Sequence, residues 1–138
     1  MFRELLVYHH SSLEYRAKIL TLMVSSNEII DACEEQALKE IAHTIYFDDE
    51  ERAELLIDTV KEYHDKIITE NGLDFEHLVQ EVEKESRAVS RYVEKIDFAL
   101  LEKLHRCMKE EEDIIFQQRI LEFLQMLKEE YGTKRENA

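Results

Sequence analysis

The chain has 138 residues and a formal net charge of −14, which repels phosphate backbones and anionic lipid headgroups. Nucleic acid and membrane surfaces are therefore excluded as expected partners, whereas cations and basic protein patches are not. Proline is absent, there are two glycines and 36% of the residues are charged, so turn formers are scarce and residues favouring helix abound. The expected class is all-α, a compact bundle of six or seven helices.

The first expected helix covers residues 2 to 10 and carries Leu5, Leu6 and His9. Ser11 and Glu14 have capping-box spacing, and a second helix restarts there with Leu13, Ala17, Leu20 and Val24 on one stripe, widened by Ile19 and Met23. Ser25-Ser26-Asn27 breaks that pattern. Asp31 and Glu34 then open a helix that buries Leu38, Ile41, Ala42 and Ile45.

Asp48 and Glu51 mark the next start. Over residues 49 to 70, Ala53, Leu56, Ile57, Val60, His64 and Ile67 form the cleanest stripe in the chain, ended by Asn71-Gly72. Asp74 caps a helix with Leu73 and Leu78 as its staple pair, continued by Val79, Val82 and Val89. Asp97 repeats the device with Ile96 and Leu101, on a helix that buries Leu100, Leu101, Leu104 and Met108. After the acidic run Glu110 to Asp113, residues 114 to 131 form the last helix around Ile120, Phe123, Leu124 and Leu127. Gly132 stops it. One helical domain over residues 1–132 and a flexible tail at 133–138 are expected.

Cys33 and Cys107 read as two small buried hydrophobes kept reduced. Met1-Phe2-Arg3-Glu4 opens without the basic stretch and apolar core of a secretory leader. No apolar run nears the ~20 residues of a membrane span. The expected compartment is the cytoplasm.

An offset of 85 residues aligns Ile19 with Leu104, Leu22 with Cys107, Met23 with Met108, Ile29 with Ile114, Leu38 with Phe123 and Ile41 with Met126. Each stretch reads as a helix ending in Met, a polar turn, an isoleucine and a second helix, over residues 13–46 and 97–131. Amphipathic helices also align by periodicity alone, so a duplication and a coincidence of period both remain open.

This unit resembles the TerB-like family, named for tellurite-resistance proteins and related to the N-terminal region of a DnaJ-like co-chaperone. Ser26-Asn27-Glu28-Ile29 and Glu111-Glu112-Asp113-Ile114 stand where that family has its Asp-Gly-Glu-Ile-type turns. The start at Asp48-Asp49-Glu50-Glu51-Arg52 resembles the segment joining the family's two repeats. The resemblance implies an all-helical fold and divalent-metal binding by acidic residues at the turns. Carried over, the metal residues are Glu28, Glu34, Glu111 and Asp113. Neither turn keeps the family's glycine or its first aspartate.

A calcium or magnesium ion needs several converging oxygens, and the two turns supply them if the units pack together. The plainer reading makes Asp31 and Glu34 caps and the second run a solvated helix start. Two Glu-x-x-His pairs, Glu40/His43 and Glu102/His105, have the spacing of di-iron ligands. Helical geometry turns Glu40 and Glu102 about 160° from the apolar stripes, so a di-metal enzyme is a remote alternative. His64 reads as a core histidine bonded to a neighbour. Neither a phosphate loop nor a nucleophile elbow is visible. The functional expectation is a non-catalytic cytoplasmic interaction module linked to stress, with a basic protein partner, or alternatively a divalent-cation-binding protein.

Overall fold

A computed structural model describes residues 11–70 and 72–132. The helix expected over residues 2 to 10, the tail 133–138 and Asn71 lie outside the described residues. The protein is all-α: six α-helices and one 3₁₀ helix pack around one core, with no strand among the described residues. The α-helices are α1 (Ser11–Val24), α2 (Ala32–Ile45), α3 (Glu50–Ile68), α4 (Phe75–Ala88), α5 (Phe98–His105) and α6 (Glu111–Tyr131). The 3₁₀ helix is Ser90–Lys95, between α4 and α5.

Aspartates start four of these helices by accepting the N–H three residues on, an orphan donor of the first turn. Asp31 and Glu34 form the full reciprocal box, while Asp74 and Asp97 accept from His77 and Leu100. On α3 the cap is Asp49, accepting from Arg52, and not the expected Asp48. The shift follows from the preceding turn, where the Asp49 N–H donates to the Tyr46 carbonyl and carries the chain one residue further before helix begins.

α1 is the axle of the bundle. It packs on α3, α4, α5, α6 and the 3₁₀ helix, and every residue from Ile19 to Val24 is buried. The expected stripe is therefore only part of its contact surface, because neighbours enclose the helix. Two of its buried hydroxyls are satisfied internally: the Thr21 hydroxyl donates to Ala17, and the Tyr15 hydroxyl donates to Ser86, itself bonded to Val82. Burial pushes the Tyr15 phenol up to about 12. On α3 five residues of the expected stripe, Ala53, Leu56, Ile57, Val60 and His64, are buried, and the sixth, Ile67, is partly buried against the core.

The two expected units differ in build. Residues 26–28 lie in the seven-residue connection between α1 and α2, whereas Glu111 to Asp113 already form the first turn of α6. Met23 lies within α1, but Met108 lies beyond the end of α5. Ile19 and Leu104 are both buried, as are Met23 and Met108, yet Ile41 is buried and its expected match Met126 is 51% exposed. On α6 the buried Leu124 and Leu127 stand one position beyond the expected matches Phe123 and Met126, so a single offset does not carry both helices of a unit.

Candidate functional site

The connection after α1 and the one after α5 meet at one end of the bundle. Three buried polar side chains organise the meeting. Gln117 on α6 is wholly buried; its amide donates to the Met23 carbonyl at 2.8 Å, and its oxygen accepts from His105 Nδ1 at 3.0 Å. Met23 lies in the last turn of α1, where carbonyls have no partner within the helix, so Gln117 supplies one from a distant element. His64 on α3, also buried, donates through Nε2 to the Asn27 carbonyl at 2.7 Å.

Glu34 is the third. Its carboxylate accepts from the Asp31 N–H at 3.1 Å and from the Asn27 side chain at 3.4 Å, and it is fully buried. Burial holds its carboxyl above the usual range, with the Asp31 and Asp113 carboxylates adding to the effect. The bonds from Asp31 and Asn27 oppose that rise. Asn27 thus joins α3, α2 and the end of α1 through one residue.

In front of this layer lies an open cleft of about 490 Å³. Glu28 and Asp31, from the connection after α1 and its end at α2, line it together with Glu110 and Asp113, from the start of α6. Ile29 and Met108 add apolar surface, and Lys109 is the one cation in the lining among the described residues. Four carboxylates against one ammonium focus a negative potential into the cleft, which draws in cationic groups.

The structure corrects the reading of the cysteines. Cys33 and Cys107 form a disulfide with 5.7 Å between their Cα atoms, across a sequence separation of 74 residues. They are not two separate reduced thiols on apolar faces. Cys33 is exposed as the second residue of α2, where the first turn faces the segment that follows α5. Cys107 is buried and lines the cleft. The sole sequence signal was positional: one cysteine begins the second helix of the first unit, and the other follows the first helix of the second.

Of the expected metal residues, Glu28 and Asp113 line the cleft. Glu34 lies behind it, engaged in its capping box, and exposed Glu111 does not line it. Asp31 and Glu110 line it instead. Among the described residues, no three His, Cys, Asp or Glu side chains stand close enough to hold a metal ion. The Glu-x-x-His pairs point to other work: Glu40 pairs with Lys103 at 3.5 Å, His43 with Glu50 at 3.3 Å, and Glu102 is exposed. No family model, curated protein or solved structure matches the chain.

Proposed function

We propose that this chain is a non-catalytic binding module of TerB-like type, whose junction cleft receives a cationic side chain of a basic protein partner. One observation carries the reading: carboxylates far apart in sequence, Glu28 and Asp31 with Glu110 and Asp113, are gathered into the lining of one open cleft. Ile29, 76% exposed, gives the stem of a bound lysine or arginine an apolar neighbour. The net charge of −14 adds long-range steering of a basic partner. The test is a titration with a Lys- and Arg-rich peptide. Binding that weakens with salt, and weakens several-fold more in the E28Q/E110Q variant, supports the reading; salt-independent binding, or none, overturns it.

A divalent cation, calcium or magnesium, is the second reading, favoured by the same gathered carboxylates. It ranks lower because a hard cation needs six or more oxygens at 2.0–2.6 Å, and among the described residues no three such side chains are grouped to hold one. Millimolar calcium raising the melting temperature beyond an ionic-strength control would promote it. No helix among the described residues is long and apolar enough to cross a membrane. The cytoplasm is the proposed compartment, and there a disulfide is a transient bond. Thiol trapping at lysis tests that placement. A stress role and tellurite resistance are separate matters, because a fold does not carry a phenotype.

A further inference from the structure

We propose that the Cys33–Cys107 disulfide is a site of thiol–disulfide exchange, attacked at Cys33, and that its opening loosens the wall of the junction cleft. The two sulfurs are unequally placed. Cys33 is exposed at the start of α2, whereas Cys107 is 5% exposed and set into the cleft wall. An incoming thiolate must reach the sulfur it attacks, so Cys33 takes the nucleophile. The S–S bond breaks as the new one forms, leaving a mixed disulfide on Cys33 and a thiolate on Cys107, beside Lys109 in the same lining. A second thiol then attacks the mixed disulfide, releasing the oxidised reagent and the Cys33 thiolate, and both thiolates take protons from water. Two thiols are oxidised and one disulfide is reduced.

The disulfide joins residue 107 to α2, and the connection over residues 25–31 reaches Met108 through two weak polar contacts. The Ser26 hydroxyl lies 3.6 Å from the Met108 sulfur, and the Asn27 amide 3.9 Å from it. Thioether sulfur is a weak acceptor. Asn27 is anchored to α3 and α2 by His64 and Glu34, and Gln117 holds α6 to the end of α1. α2 also packs directly on α5. Reduction therefore releases the covalent hold on the wall carrying the exposed Lys109 and Glu110, while Met108 keeps its core packing and the bundle stays assembled. Control of ligand entry by this step rests on the binding reading above.

The test incubates the oxidised protein with reduced glutathione in the absence of denaturant, maps the adduct by mass spectrometry and follows amide exchange. The expected result is a glutathione adduct on Cys33, with exchange rising several-fold over residues 25–31 and 106–110 and unchanged over 50–68. The C33S/C107S variant should show the same raised exchange without glutathione. A bond that resists glutathione until the protein unfolds, an adduct on Cys107, or unchanged exchange overturns the proposal. The peptide titration in both redox states separates the two ideas: exchange at Cys33 with no peptide bound in either state overturns the binding reading alone.

Discussion

His64 Nε2 and the Asn27 carbonyl, 2.7 Å apart, fasten the far part of α3 to the connection between α1 and α2. The bond gives a core histidine its partner and satisfies a carbonyl in an irregular segment. His64→Leu keeps the apolar contacts and strands that carbonyl. The expected loss is about 1–3 kcal/mol, the cost of a buried group left without its hydrogen bond. Urea unfolding of the variant against the native chain measures it, and an unchanged midpoint would deny the bond its role.

Gln117→Leu removes the partners of both Met23 and His105. A loss of about 1–3 kcal/mol is expected here too, because the Met23 carbonyl is left unpaired at a helix end. Amide exchange locates the damage: the first residues of the α1–α2 connection should open before α3 does.

The disulfide closes a long loop, and cross-linking of that size stabilises by restricting the unfolded chain. The C33S/C107S variant is expected to unfold with about 2–4 kcal/mol less stability than the oxidised protein. Calorimetry on both reads the difference, and the native chain with excess reductant should match the variant. Equal melting temperatures throughout would count against the bond.

Glu34 sets a pH dependence of definite sign. Its carboxyl is raised in the folded state above the ordinary carboxylate value, chiefly by burial. The folded chain therefore holds that proton more tightly than the unfolded chain. The resulting stability is fully present below the unfolded value and is lost as pH rises through the folded one. Glu34→Gln cannot titrate, so its stability relative to the native chain should improve from pH 4 to pH 7. Denaturant unfolding at both values tests this; a difference that is flat or reversed rejects it.

The caps at Asp31, Asp74 and Asp97 were legible because capping chemistry is local and acts over three residues. At Asp48-Asp49 two equivalent carboxylates stood side by side, and only the preceding turn selected the second. His64 was legible from its place on an apolar stripe. Gln117 was not: it follows an acidic run, beside a second glutamine, and its purpose depends on where α1 ends in space. The disulfide was hidden for the same reason, since no local pattern joins positions 74 residues apart. Acidic turns were expected to form the site, and the cleft bears their charge. Yet Asp31 and Glu110 replace Glu34 and Glu111 in its walls, because one expected residue was absorbed into a cap and the other sits elsewhere in the first turn of α6.

The enclosure of α1 also dictates an order of assembly. Its partners run from α3 to α6, so a nascent chain that has released only α1 and α2 exposes Leu13, Tyr15 and the Ile19 to Val24 segment to whatever is nearby. No half of this chain can be expected to fold alone, and a ribosome-bound intermediate must keep this enclosed helix waiting for the C-terminal one.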